Sequence, residues 1–442
     1  MSVATDESPP SKKASPLGLW TATSLVTGNM IGSGIFLLPS ALALYGGISL
    51  YGWLFTALGS LTLAFVFSNL VKSIKGSGGP YIYARTEFGE LPGFLVAWGY
   101  WISIIATNAA IAIALVGYLS VFFPMLKEQN WLTASINLFF IWFLVWVNLR
   151  GVKTAGRLQL TTTLIKIIPL FAMATVGMFY IEPSHFEPWN LSSGSDLSAV
   201  SATAALTMWA FLGMESANIP AAEVSNPGKN VSRAAILGTL IAACLYIPSS
   251  IAVLGLIDPK ILAQSSAPFA DAAAILWGDW GYYLFGAGAV ISCFGALNGW
   301  TLCIGQIPMA AADDGLFPKT FAQRSSNGTP TLGIIISTVL VSFLVLMNYQ
   351  ENLVRQFTFV ILLATLAAVL PYLVCSLVQF SIFIRRKNKT AIPIVSTLIT
   401  AVAIGFSVWI IVNTGTETIL WGCALLLMGL PVYVWIKKSV KS

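Results

Sequence analysis

Long apolar runs, broken by short polar stretches, recur from residue 18 to residue 436. A bilayer's hydrocarbon core takes about 20 apolar residues of helix to cross. By that measure the pattern predicts twelve transmembrane helices, at about 18–45, 49–71, 92–123, 131–149, 158–181, 199–221, 234–257, 281–311, 331–348, 355–383, 391–413 and 417–436. The chain before them, MSVATDESPPSKKASPL (1–17), is polar and rich in proline and serine, and is expected to be a disordered tail. Residues 437–442 form a second short tail, and everything between is one membrane domain. The first apolar run is too long for a signal peptide, and no small-residue cleavage site follows it.

Composition agrees with the pattern. Hydrophobic residues make up 57% of the chain and charged residues only 9%, whereas soluble domains carry about 25% charged. The net charge of +6 is distributed by topology. If the spans alternate, the lysines and arginines other than Lys166 fall on one side, and only Lys127, Lys260 and Arg355 on the other. The positive-inside rule makes that side the cytoplasm and puts both termini there. The basic charge therefore reflects the membrane surface rather than nucleic acid. The segment 72–93, glycine-rich with interleaved aromatics, suggests an interfacial or partly re-entrant element. Residues 182–198 read as a polar surface loop. Asn230-Val231-Ser232 matches a glycosylation acceptor but falls on the cytoplasmic side.

Enzymatic signatures are missing: there is no HExxH, P-loop or GxSxG. Cys244, Cys293, Cys303, Cys375 and Cys423 lie in apolar spans without CxxC spacing, so neither disulfide nor metal is expected. His185 reads as a surface loop residue, and Asp313–Asp314 as a solvated loop balanced by Lys319 and Arg324. A channel would need a continuous polar pore, and a receptor would need a signalling domain that these short loops cannot hold.

Two ionisable residues stand inside spans: Lys166 in TLIKIIPL and Glu215 in WAFLGMES. Each costs about 2.5–3.5 kcal/mol at mid-membrane on insertion scales, so such residues face cavities or partners. For Lys166, snorkelling to the interface is the competing reading.

The stretch GNMIGSGIFLLP (28–39) gathers Gly28, Gly32, Ser33, Gly34 and Pro39 in one span. Glycines at this density loosen a helix. Unwound backbone cannot face lipid, so it must line a protein cavity; close helix–helix crossing through small residues would also explain them. The sixth span tips the balance. FLGMESANIP places Gly213 beside Glu215, with Pro220 after it, five spans after the first interruption. Paired interruptions in corresponding positions point to an inverted-repeat transporter, spans 1–5 against 6–10, with two more outside. A helix beginning at Ser33–Gly34 presents free N–H groups that suit a carboxylate, and helices ending at the breaks present carbonyls that suit an ammonium. A free α-amino acid has both. Trp209, Trp300 and Asn108 are candidates for holding its side chain, the tryptophans through attraction of a cation to the ring face.

GNMIGSGIFLLPSALALYGG, MWAFLGMESA followed by NPGKNV, and GWTLCIGQ with AAADDGLFPK resemble the amino acid–polyamine–organocation superfamily. More closely they resemble its basic amino acid/polyamine antiporters, the arginine–agmatine and lysine–cadaverine exchangers. The resemblance implies an all-α, twelve-helix LeuT-like fold with a 5+5 inverted repeat, helices one and six unwound, no cofactor, and a bilayer of the cytoplasmic membrane as its setting. The family often dimerises. It implies a substrate site along Met30, Ile31, Gly32, Ser33 and Gly34, with Ser33 and Gly34 on the carboxylate and the carbonyls of Met30, Trp209 and Leu212 on the α-amino group. Trp300 would stack on the cationic side chain, Trp209 would form an inner lid, Asn108 would touch the substrate, and Glu215 would belong to the gating network. Ser103, Ile104 and Ala364 stand where the arginine exchanger has its distal polar contacts, which thins those contacts. Lys166 resembles the lysine of proton-coupled and small neutral amino acid exchangers, where its ammonium substitutes for the second sodium of related transporters. The resemblance implies that it either holds the first helix in place or carries the coupling proton, and that no sodium site is needed. The function expected is exchange of an external, cationic amino acid for an internal one or its decarboxylated amine. Neutral amino acid exchange or proton symport on the same fold is the alternative.

Overall fold

The structure is a computed structural model and describes residues 18–441 except 75, 77, 151, 220, 222–223, 326–327, 348–352 and 387–393. The N-terminal tail expected over 1–17, and Pro220, lie outside the described residues. The described chain is helical and contains no strand. Among the described residues, eleven segments are long and apolar enough to cross a membrane. The ninth expected span corresponds to Thr331–Met347, apolar but only 17 residues. That length is about 26 Å of helix, somewhat short of a hydrocarbon core of about 30 Å.

The first span is two helices, α1 (Leu19–Met30) and α2 (Ser33–Ala43), separated by Ile31 and Gly32 in non-helical conformations. Then come α3 (Ser49–Ser73), α4 (Pro80–Phe88), α5 (Glu90–Leu119), α6 (Asn130–Leu149) and α7 (Val152–Thr175). The sixth apolar segment starts as α8 (Asp196–Met208), whose first turn is capped by the Ser195 hydroxyl accepting from the Ser198 N–H at 3.3 Å. It tightens into a 3₁₀ turn at Trp209–Phe211, opens at Leu212 and Gly213, and closes on a second 3₁₀ turn at Ser216–Asn218. The remainder is α9 (Pro227–Leu256), α10 (Pro259–Leu262), α11 (Pro268–Asp313, bent at Gly278), α12 (Thr331–Met347), α13 (Leu353–Arg386), α14 (Ile394–Asn413), α15 (Thr416–Leu427) and α16 (Gly429–Lys441).

Burial sorts these elements into a centre and a periphery. Every residue of α2 is buried, as are both helix breaks, which is the condition for non-helical backbone at membrane depth. The centre is α5, packed against α11 and α13. Tyr118 of α5 donates to the Phe36 carbonyl at 2.6 Å and accepts from the Phe269 N–H at 3.2 Å, so one side chain fixes α2 between α5 and α11. Thr56 of α3 donates to the Ala204 carbonyl of α8 at 3.2 Å. By contrast α14, α15 and α16 keep most of their apolar side chains outward, as lipid-facing helices do.

Several loops carry more structure than their composition suggests. The glycine-rich segment 72–93 contains α4, with Tyr81 and Tyr83 buried against its neighbours. His185, expected at the surface, is largely covered: its Nδ1 lies 2.9 Å from the Gly255 carbonyl oxygen, and its Nε2 is 3.4 Å from Glu182. The aspartate pair divides. Asp313 meets Arg324 at 2.5 Å, whereas Asp314 turns to α4, meeting Arg85 at 2.8 Å and accepting from Tyr81 at 3.1 Å. All five cysteines are free thiols, with Cys293, Cys303 and Cys375 buried.

Candidate functional site

The two interruptions converge on one cavity. Its walls are Asn29, Met30, Gly32, Ser33 and Gly34 from the first span, Thr107 and Ile111 from α5, Trp209 and Leu212 from the sixth segment, and Trp300 from α11. Its volume is about 10 Å³, room for roughly one water.

The break in the first span has a local cause. Gly32 takes φ −123 and ψ −144, and Ile31 φ −74 and ψ 82, so the helical ladder stops at Met30 and restarts at Ser33. No side chain caps α2. Its first N–H groups are without intrahelical partners by construction, and the Ser33 hydroxyl beside them is buried and unpartnered. On the other side of the gap the Met30 carbonyl accepts the Gly32 N–H, at 2.8 Å. The Asn29 carbonyl accepts from Trp300 Nε1 at 3.3 Å. The Asn29 amide donates to Ser216 Oγ at 3.0 Å, joining the first interruption to the second.

The sixth segment opens because Gly213 takes φ +107, a conformation side chains with a Cβ avoid. The Trp209 carbonyl accepts from the Leu212 N–H at 3.1 Å. A carbonyl oxygen has two lone pairs, so Met30 and Trp209 each retain one. The Trp209 ring packs so close to Gly34 that a Cβ there would sit 2.9 Å from ring carbon Cζ3 and 3.2 Å from Ala210 Cα. The Trp209 ring stands perpendicular to Phe357 with centroids 5.1 Å apart, and its Nε1 is buried without a partner among the described residues.

Of the residues singled out in the sequence, Met30, Gly32, Ser33, Gly34, Trp209, Leu212 and Trp300 meet at the cavity. Ile31 is buried in the break but does not line it. Four others stand behind the wall. Ser103 donates to the Ala364 carbonyl at 2.9 Å. Asn108 donates to the Ile104 carbonyl at 2.8 Å and accepts from Thr301 at 3.2 Å. Ser103, Ile104, Asn108 and Ala364 thus make an internal seam between α5 and its neighbours. Thr107, Ile111 and Asn29 line the cavity and were not singled out. Thr107 and Ile111 are one helical turn apart, so a face drawn from Thr107 rather than Asn108 would have found both.

The two ionisable residues within the spans lie outside the cavity lining. Lys166 is fully buried, and its ammonium donates to the Gly28 carbonyl at 2.5 Å, near the C-terminal end of α1. Snorkelling does not describe it. Glu215 is fully buried too; its carboxyl accepts from Tyr100, from Tyr372 at 2.5 Å, and from the Gly213 N–H at 3.2 Å. The tyrosine partners come from α5 and α13 and went unnoticed in the sequence, where their only signal is a hydroxyl inside an apolar run.

Residues 17–429 match the family model for amino acid permeases. The chain is 33% identical to the putrescine transporter PotE of Haemophilus influenzae, over 96% of this chain and 98% of that protein. It is 34% identical to the cadaverine/lysine antiporter of Escherichia coli K12, over 77% and 76%. Against the putrescine transporter PotE of the same organism the identity is 32%, over 95% and 96%. A helical bundle of membrane-crossing length, broken twice around one buried cavity and matched along nearly its whole length, belongs to the amino acid permease family and is a transporter of the cell membrane, not an enzyme.

Proposed function

We propose that this protein is a secondary antiporter that exchanges a cationic amino acid for another, or for its decarboxylated amine, by alternating access. The observation that carries the reading is the start of α2. Uncapped N–H groups and the unpartnered Ser33 hydroxyl open on the same cavity as the carbonyl-bearing ends of α1 and of the 3₁₀ turn at Trp209. Carboxylate affinity at one edge and ammonium affinity at the other match the two ends of an α-amino acid.

In this reading Ser33 and Gly34 take the carboxylate, and the carbonyls of Met30, Trp209 and Leu212 take the α-amino group. Trp300 offers its ring to a cationic side chain. The Ser103–Ala364 bond and the Asn108 bonds hold α5 in register behind the wall. Lys166 anchors the end of α1, and Glu215 ties the sixth segment to α5 and α13, so each can act on the opening of the site. A cavity of about 10 Å³ admits an amino acid only when its walls part. Trp209, seated on Gly34, is the movable lid that such parting requires.

The paired interruptions also favour the 5+5 inverted repeat, with α12 completing twelve spans and α14–α16 outside the repeat. The clustering of basic residues favours cytoplasmic termini. The putrescine, lysine and cadaverine in the relatives' names support a cationic substrate.

A second reading, neutral amino acid exchange or symport, draws on one feature: among the described residues no charged side chain lines the cavity. Counterflow separates the two. Proteoliposomes are preloaded with arginine, lysine, ornithine, putrescine or cadaverine, or with alanine or serine, and uptake of labelled substrate is followed. Stimulation by the cationic set is expected. Stimulation by alanine or serine alone would overturn the cationic reading.

A further inference from the structure

We infer that Thr107, not Asn108, is the polar side chain that α5 turns to the substrate, and that this single hydroxyl set among indoles makes the site select a side-chain ammonium over a guanidinium. The inference rests on the amino acid reading above and goes further, to the substrate class.

Thr107 lines the cavity, is buried, and its hydroxyl has no hydrogen-bond partner. A helical threonine ordinarily spends that hydroxyl on the carbonyl one turn back. Thr203, Thr207, Thr239 and Thr301 do so here, at 2.9, 2.9, 2.7 and 2.6 Å. Among the described residues Thr107 makes no such bond to the Ser103 carbonyl; Thr23, Thr27 and Thr365 are unpartnered too, but of these four only Thr107 lines the cavity. The neighbouring polar groups of α5 are already committed: Ser103 to Ala364, and Asn108 to Ile104 and Thr301. Ser33, the other unpartnered hydroxyl on the wall, belongs to the start of α2 and so to the carboxylate end. Thr107 is left for the far end of the substrate.

The number of acceptors then decides what that end can be. A hydroxyl offers two lone pairs, an ammonium three donors in a compact head, and a guanidinium five donors in a rigid planar fork. Trp209 and Trp300 can receive positive charge without taking a hydrogen bond. An ammonium is therefore served by Thr107 and the rings. A guanidinium would keep more N–H groups unpaired in a site with no carboxylate among the described lining residues, and each buried donor left without a partner carries its desolvation cost.

The test is competition against labelled lysine in proteoliposomes holding the full chain, with lysine, arginine and norleucine as competitors. Wild type should prefer lysine to arginine. Thr107→Val should weaken lysine about tenfold, the loss typical of one hydrogen bond to a charged group, without weakening norleucine, which has the same four-carbon side chain and no ammonium on it. Thr107→Ser should restore lysine to within about threefold, because it returns the hydroxyl. Thr107→Ala is the second apolar variant should the valine protein not fold. Unchanged lysine affinity, equal losses for lysine and norleucine, failure of the serine variant to restore, or a wild-type preference for arginine would each overturn the inference. A wild-type protein that takes up none of these compounds would instead overturn the cationic reading on which it rests.

Discussion

The ammonium of Lys166 sits 2.5 Å from the carbonyl oxygen of Gly28, two residues before α1 ends. A cation at a helix C-terminus meets both an orphan carbonyl and the negative end of the helix dipole. α7 thereby fixes where α1 stops, and with it one edge of the cavity.

Lys166→Met keeps the length of the side chain and removes the donor. It leaves the Gly28 carbonyl unpaired in a buried setting, a cost of about 1–3 kcal/mol. The expected outcome is an exchange rate at least about tenfold lower, with the protein still monodisperse after detergent extraction. Wild-type rates in the Lys166→Met protein would separate α1's position from this contact.

Trp300 lines the cavity and also donates its ring N–H to the Asn29 carbonyl. Trp300→Ala removes both roles, and affinity for a cationic substrate should fall about tenfold or more. Trp300→Phe keeps a ring and loses only the N–H, so it should fall between wild type and alanine. Equilibrium binding of labelled substrate reads both, and unchanged affinity in the alanine variant would leave Trp300 a packing residue.

Gly34→Ala places a methyl group 2.9 Å from the Trp209 ring and 3.2 Å from the Ala210 backbone. Overpacking of this kind costs about 1–3 kcal/mol. Because the clash lies between the start of α2 and Trp209, transport should be lost at normal membrane abundance. Uptake assays normalised to protein in the membrane check this, and full activity would mean that the two elements part more freely than their packing implies.

Glu215→Gln preserves shape but exchanges one acceptor oxygen for a donor facing donors. Its carboxyl accepts from Tyr100, Tyr372 and the Gly213 N–H, and an amide cannot satisfy all three. A loss of about 1–3 kcal/mol in stability is expected, seen as a lower midpoint in thermal unfolding of the detergent-solubilised protein, together with slower exchange. Tyr372→Phe should be milder, since it removes a donor and leaves the carboxyl two others.

At the basic end of the bundle, Tyr81 donates to Asp314 beside Arg85. Burial, and then the Asp314 charge, push the Tyr81 phenol above its ordinary value of 10.0. A group raised on folding stabilises the protein fully below its unfolded value, and that contribution is lost as pH rises past it. Thermal midpoints measured from pH 8 to 11 should therefore fall above about pH 10, and less steeply in Tyr81→Phe.

The apolar pattern by itself determined that the chain runs repeatedly at membrane length and where it is weakened, because hydrophobic length and glycine density are local properties; of the twelve expected spans, eleven reach that length among the described residues. GNMIGSG was legible as a break for that reason. So was Glu215 as a residue in need of partners, since burying an ionisable group in an apolar span has a cost wherever the span ends up. What only the tertiary structure decided is which groups meet. Lys166 could have snorkelled until α7 was set against α1. Nothing local told Thr107 from Asn108, adjacent polar residues a helical step of about 100° apart; the neighbours of α5 decided it, occupying Asn108 with Thr301 and leaving Thr107 on the cavity wall. Periodicity orders residues around one helix, but the direction in which that helix faces is set by the helices packed against it.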